Sequence, residues 1–300
     1  MATPTTPSRI REVNARYHDA AAPGYDAKWG IDYGETGRAQ VGGKLRKALG
    51  SNPERFERAL EIGAGTGYFT LNLLLDGAVE QATCTDISPG MLRELRRNAR
   101  RLGLNVDTVT CEAAELPFAD ASFDLVLGHA VLHHLPDLPS AFAEFRRVLA
   151  PGGTLLFAGE PSSIGDRLAT APKRGGLLAA PVWRRLVGAG AADAKPRDDR
   201  RFEGDVDVHA FVPPQLDCLA REAGFEQVRV RGEELLANWF GWANRAMEAT
   251  AKPAEVPWLW RQYAYRGYLA LQALDERLLE RRLPSALFYN LMLAARVPVA

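Results

Sequence analysis

Several things are scarce in this 300-residue chain. Cysteine occurs three times, at Cys84, Cys111 and Cys218, far apart and without a CxxC pair. That usage excludes an evident disulfide framework and reads as a reducing, cytoplasmic setting. No apolar run is long enough to span a bilayer, and the opening MATPTTPSRIREVNARYHD has no signal-peptide core. An excess of one charge is missing as well: 37 Lys and Arg balance 37 Asp and Glu. With no basic stripe, nothing steers the chain toward nucleic acid. No His, Cys or acid cluster has metal-ligand spacing, so no metal is expected. There is no internal repeat.

What remains is a chain with 47% apolar residues, enough for one large domain or a domain with additions. Residues 1–9, rich in Pro, Thr and Ser, read as a loose tail. From Glu57 to Glu160, strand-like runs (ALEI, QATCTD, VDTVTC, FDLVLG, GTLLFAG) alternate with helical patterns (YFTLNLLLDG, MLRELRRNARRLG, LPSAFAEFRRVLA). The strands are nearly continuously apolar, as when helices cover both faces of a sheet. The alternation predicts a doubly wound, mostly parallel α/β sheet. The rhythm breaks at about 161–205, an excursion of Gly, Ala, Pro and clustered charge ending in KPRDDRRFEGD. It resumes with a helix, PPQLDCLAREAGF, and a strand, EQVRVRG. A second excursion, about 235–283, is helical and aromatic, and FYNLMLAARVP reads as a seventh strand.

The stretch LEIGAGTGYFT carries the first chemical signal. Its glycines follow Gly63-x-Gly65-x-Gly67, whereas a dinucleotide fingerprint needs a third glycine one residue later, where Tyr68 stands. A ligand without a pyrophosphate does not need that pattern. Asp86 ends the second strand about twenty residues on, where an acid can accept both ribose hydroxyls. A helix-capping role fits Ser88 better, because it immediately precedes Pro89.

On these residues the chain resembles the class I S-adenosylmethionine-dependent methyltransferases, in particular the small-molecule group of the ubiquinone/menaquinone-biosynthesis type. ALEIGAGTGYFT, CTDISPGML, CEAAELPFADASFDLVLGHAVLHHLPD and RVLAPGGTLLFAGEP match in order, and DVHAFVPPQLDCLAREAGFEQVRV extends the likeness to about residue 231. The resemblance implies a Rossmann-like seven-stranded sheet whose last strand is antiparallel, with helical cap insertions at about 161–205 and 235–283. It also implies S-adenosyl-L-methionine as cofactor. Glu61, Gly63, Gly65 and Gly67 would form the wall under the methionine and ribose. Asp86 would take the ribose hydroxyls, Ile87 the adenine face, and Glu112 and Ala113 the adenine edge. His129 would meet the methionine moiety. The family more often has Asp where this chain has Glu112. RYHDAAAPGYDAKWG resembles the segment that folds over the cofactor, with Tyr17 and Tyr25 as closing residues. Residues 1–56 would thus be tail and cover, and 57–300 the methyltransferase domain.

Methyl transfer from a sulfonium is an in-line displacement, so positioning can supply about 7–11 kcal/mol. A general base is needed only if the nucleophile must lose a proton. His133 and His134 are the candidates; packing or capping of the next helix is the other reading. His209 is more simply structural. The second excursion holds Trp239, Phe240, Trp242, Trp258, Trp260, Tyr263, Tyr265 and Tyr268. These rings suit either a cap over an apolar or ring-bearing small substrate or glue between helices. The same excursion has the amphipathic, Arg-bearing character of a membrane-surface helix, which Asp275, Glu276 and Glu280 weaken. No NPPY-like signature follows the fourth strand; GHAVL stands there. A non-catalytic methyltransferase-like partner module, or another adenosine-cofactor enzyme, is the competing expectation.

Overall fold

A computed structural model describes residues 6–50, 55–192 and 208–299. The charged run of the first excursion, KPRDDRRFEGD, lies outside the described residues. Seven strands form one sheet: β1 (Phe56–Ile62), β2 (Val79–Asp86), β3 (Asp107–Thr110), β4 (Phe123–His129), β5 (Leu149–Pro161), β6 (Glu226–Glu233) and β7 (Asn290–Arg296). Their order is β3-β2-β1-β4-β5-β7-β6. β1 to β5 are parallel, and β7 runs antiparallel between β5 and β6. This is the doubly wound, mostly parallel sheet that the alternation predicts.

Alternate residues of each central strand serve opposite faces, which is why those strands read as unbroken apolar runs. Leu125 and Leu127 of β4 pack with Val41 and Leu45 of α3 (Glu35–Leu49) and Phe69 and Leu73 of α4 (Tyr68–Leu75). Val126 between them packs with Phe142 and Phe145 of α6 (Leu138–Val148) on the other side. The edge strands β3 and β6 are half exposed instead, because only one neighbour and one full layer cover them.

Local signals set the crossover helices. Ser88 caps α5 (Pro89–Leu102), its Oγ accepting the Met91 N–H at 3.1 Å, and Gly103 closes that helix in the left-handed region. Asp137 caps α6 by accepting the Ser140 N–H at 3.1 Å. Both devices satisfy donors that a helix start leaves open.

Two expectations change, at α1 and at the last strand, and the helical character expected of the first excursion is sharpened. Helix α1 runs Pro7–Ala21 behind a Thr6 cap, so the loose reading up to residue 9 gives way to helix from Pro7. The first excursion is mostly one long helix, α7 (Ser163–Val187), despite Pro172 and Pro181 inside it. Its buried face is Ala169, Gly176, Ala180 and Trp183, one side of a helix at spacings of three to seven, so tertiary packing overrides the prolines. The last strand starts at Asn290 rather than Phe288, whose buried ring fills the space against Gly232. The remaining helices are α2 (Tyr25–Trp29), α8 (Pro213–Glu222), α9 (Leu236–Glu248) and α10 (Trp258–Leu274). Among the described residues no helix is long and apolar enough to cross a membrane.

Candidate functional site

From β1 the chain moves outward to β2 on one side, and β4 lies on the other, so the crevice of this open sheet falls at the carboxyl ends of β1 and β4. The turn after β1 uses its glycines for two different purposes. Gly63, Gly65 and Gly67 all have positive φ, +60°, +54° and +93°. A Cβ on Gly63 would collide with Val131, and one on Gly67 would lie 2.9 Å from Leu71 Cδ1, so these two allow packing. A Cβ on Gly65 would meet no atom within 4 Å. Gly65 therefore presents bare backbone to open space, where a ligand can come close.

Asp86 braces that turn. Its Oδ2 accepts the Gly65 N–H at 2.9 Å and its Oδ1 accepts the Ser88 N–H at 2.8 Å. Burial raises its pKa, against those two donors and His18. Each carboxylate oxygen keeps acceptor capacity for a further donor. Asp86, Ile87, Gly63 and Gly65 line one side of a cleft of about 120 Å³, with Glu112, Ala113, His129 and His134 on its walls. Glu61 and Gly67 are not in that lining; the Glu61 carboxylate turns inward to accept the Thr70 N–H at 3.1 Å. Burial pushes Glu61 up to about 8, so it is mostly protonated at neutral pH.

The N-terminal segment covers the cleft. Arg11, Asn14 and His18, on one face of α1, line it together with Tyr25, whose burial pushes its hydroxyl up to about 12. Tyr17 does not line it; its ring packs edge-on against His18. Two links hold the cover down. Asp19 accepts from Ser88 Oγ at 2.7 Å and from the Gly90 N–H at 2.6 Å, at the positive start of α5. Arg11 pairs with Glu112 at 2.8 Å, a reach for which the longer glutamate is suited. These α1 residues were missed from the sequence, although the 11-14-18 spacing marks a single helix face.

The two candidate bases part company. His134 faces the cleft, with its ring 3.9 Å from that of His133 and 5.3 Å from that of His18. His133 sits behind it and binds Glu160, Nδ1 to Oε2, at 2.8 Å. Glu160 also accepts the N–H groups of Val131, Leu132 and His133 at 2.9, 3.0 and 3.2 Å. Burial opposes its charge, but His133 and those N–H groups hold it below the usual carboxylate range. The turn begins with Ala130 at φ +54°, a strained conformation for alanine placed on the cleft wall. His129 stacks on Phe69 with centroids 5.1 Å apart, and burial, helped by Lys44, lowers it to about 4. It is neutral at pH 7. His209 is not in the cleft lining; its Nε2 meets the Leu135 carbonyl at 3.0 Å.

Most aromatic residues of the second excursion join helices. Trp260 packs between Trp183 and Tyr263, Phe240 meets Tyr263, and Tyr268 donates to Glu234 at 2.8 Å. Glu234 also accepts from Gln272 at 2.7 Å and Asn290 at 2.9 Å, while Lys44 of α3 bonds both Glu233 and Glu234. This buried ionic network fastens α10 to the end of β6. Among the described residues no group of three or more His, Cys, Asp or Glu could hold a metal.

Residues 60–157 match the family described as Methyltransferase domain. Malonyl-[acyl-carrier protein] O-methyltransferase of Methylococcus capsulatus is 31% identical over 223 residues, 73% of this chain and 72% of that one. The enzyme of the same name from Halorhodospira halophila is 34% identical over 148 residues, 49% of this chain and 48% of its own length. Ubiquinone/menaquinone biosynthesis C-methyltransferase of Brucella anthropi is 30% identical, covering 58% of this chain and 65% of that one. The fold is similar to Haemonchus contortus phosphoethanolamine N-methyltransferase 2, with a TM-score of 0.61 and 16% identity over 96% of this chain and 60% of that one. The chain belongs to the S-adenosylmethionine-dependent methyltransferases.

Proposed function

We propose that this chain binds S-adenosylmethionine in the cleft and moves its methyl group to a small, apolar or ring-bearing acceptor. The observation that carries the reading is the pairing of Asp86, acceptor capacity left on both oxygens, with the unobstructed backbone of Gly65 beside it. A ribose diol and a methionine chain that carries no phosphate suit those two features better than a pyrophosphate. When bound, the cofactor supplies an activated methyl on a cationic sulfur; the methyl leaves with no electron pair and S-adenosylhomocysteine remains.

The chain's own residues then hold and orient. Asp86 takes the ribose, Ile87 and Ala113 flank the adenine, and neutral His129 meets the methionine part without repelling the sulfonium. Glu112 is already engaged by Arg11, so it acts at the adenine edge through the cover. Within residues 1–56, α1 and Tyr25 act as that cover, and because the cleft is smaller than the usual roughly 300–1,000 Å³ of ligand sites, α1 must shift as the cofactor enters. If the acceptor is a hydroxyl, His134 is the group placed to take its proton, with His133 and Glu160 positioning it. The names of the relatives, a malonyl-[acyl-carrier protein] O-methyltransferase and a ubiquinone/menaquinone biosynthesis C-methyltransferase, are in keeping with a small-molecule or small-group acceptor.

Calorimetric titration with S-adenosylmethionine, S-adenosylhomocysteine and NAD tests this. Saturable binding of the first two is expected, and Asp86→Ala should weaken it about 100-fold, the loss of roughly two charge-assisted hydrogen bonds. Binding of NAD instead, or an Asp86→Ala affinity equal to wild type in a folded protein, sinks the reading.

A further inference from the structure

Among the described residues, nothing covers an apolar surface that the cap carries. On α7, Leu178, Val182 and Leu186 follow one another at helical spacing and are 82%, 63% and 82% exposed. At the start of α10, Trp258 and Leu259 are 68% and 73% exposed. The rings of Trp183 and Trp260, 5.2 Å apart, bring the C-terminal half of α7 against the start of α10, so both sets flank one seam. Isolated exposed leucines are ordinary, but a run of them beside an exposed tryptophan marks a contact surface.

The charge around the seam says what the contact is. The chain as a whole is neutral, yet α7 and α10 together carry seven arginines and lysines against one acid, Asp166. Arg174 and Arg185 are exposed and flank the leucine stripe, and Arg261 and Arg266 are exposed on α10. Lys173, further back, is occupied by Asp166 at 2.9 Å. A second copy meeting this face through a two-fold axis would set the same cations against one another, which disfavours a symmetric dimer. A convex stripe of leucines with tryptophan at its end and arginines alongside has the composition of a helix that lies in a lipid interface.

We propose that the α7–α10 face docks on the surface of a bilayer containing anionic lipid. Leu178, Val182, Leu186, Trp258 and Leu259 enter the boundary between headgroups and acyl chains. The flanking arginines meet lipid phosphates. Of the acidic residues past α10, Asp275 is buried accepting the Leu236 and Ala237 N–H groups and Glu280 pairs with Lys47 at 3.0 Å, which leaves Glu276 as the exposed acid of the three against the arginines of the seam. This inference stands apart from the methyl-transfer reading, since it needs neither cofactor nor acceptor.

Sedimentation of the full chain with vesicles tests it, using pure phosphatidylcholine in one arm and phosphatidylcholine mixed with phosphatidylglycerol in the other. Binding to the mixed vesicles, weaker on the neutral ones and weakened by salt, is the expected result. Leu178→Ser combined with Leu186→Ser should cut the bound fraction about tenfold or more, as two side chains leave the interface. Arg185→Glu should lower binding to the anionic vesicles only. All three positions are exposed, and an unchanged thermal midpoint and unchanged S-adenosylmethionine titration would confirm that the variants fold. No binding to either vesicle overturns the proposal, as does binding that the leucine variant leaves intact. Sedimentation velocity completes the test: a wild-type dimer that the leucine variant converts to monomer would assign the face to a second copy instead.

Discussion

Glu61 lies near the end of β1 and Glu160 near the end of β5, both buried in one sheet, and their charge states differ. Glu61, with Thr70 as its donor, is pushed up to about 8. Glu160, with the backbone N–H groups of Val131, Leu132 and His133 and the His133 ring around it, is held below the ordinary carboxylate range. Depth of burial is therefore not what decides ionisation here; the number of donors pointed at the carboxylate is. Glu234 makes the same point by another route. Burial opposes its charge, but Lys44, Tyr268 and Gln272 hold it well below the usual range. Each ionised acid marks a joint: Glu160 fixes the turn that carries His133 and His134, and Glu234 fixes the cap.

Removing the cation from the cap joint should have the largest effect. Lys44→Met leaves Glu233 and Glu234 buried together without it, and about 3–5 kcal/mol of stability should be lost in urea unfolding. Cofactor affinity should change far less than stability does; equal losses in both would mean that cap and crevice are one unit.

Next comes the protonated acid. A carboxyl whose folded pKa is raised contributes stability that is complete below its unfolded value, near 4.5, and is lost as pH rises through about 8. Between about pH 5 and pH 8, Glu61→Gln should thus gain on wild type by on the order of 3 kcal/mol. Parallel stability curves for the two proteins would show that Glu61 is ionised after all.

Glu160→Gln should cost about 2 kcal/mol, because an amide N–H₂ would face the donors of His133. Here the pH trend has the opposite sign, since the wild-type contribution is present at neutral pH and fades as acid protonates Glu160. The smallest expected effect is at the cover. Asp19→Ala removes the acceptor for Ser88 Oγ and the Gly90 N–H and should cost roughly 1 kcal/mol. It should speed S-adenosylhomocysteine release in stopped-flow measurements, and removing a neighbouring negative charge should ease the ionisation of Asp86.

The parts that could be read in advance are those with a local cause. The Gly63–Gly67 turn, the Ser88–Pro89 and Asp137 helix starts, Asp86 at a strand end and the apolar central strands all express rules that act within a few residues. The division of labour among the glycines was not legible, because it depends on whether Val131, Leu71 or open space faces each missing Cβ. Nor was the split between His133 and His134, two neighbours in sequence that Glu160, 27 residues away, separates into a held ring and a cleft-facing one. A helical insertion was expected where α7 lies, but not its length, because Pro172 and Pro181 stand inside it and only the small-residue face that α9 covers holds it helical through them.

By itself, then, the sequence determined the sheet, the glycine turn and the acid beside it, because backbone conformation and strand burial are set by neighbouring residues and by periodicity. Tertiary structure alone decided which acids are charged, which histidine meets the cleft, how α1 covers it and which leucines stay bare. Those properties depend on donors, cations and covering helices brought together from distant parts of the chain, as when Lys44 reaches Glu233 and Glu234 across about 190 positions.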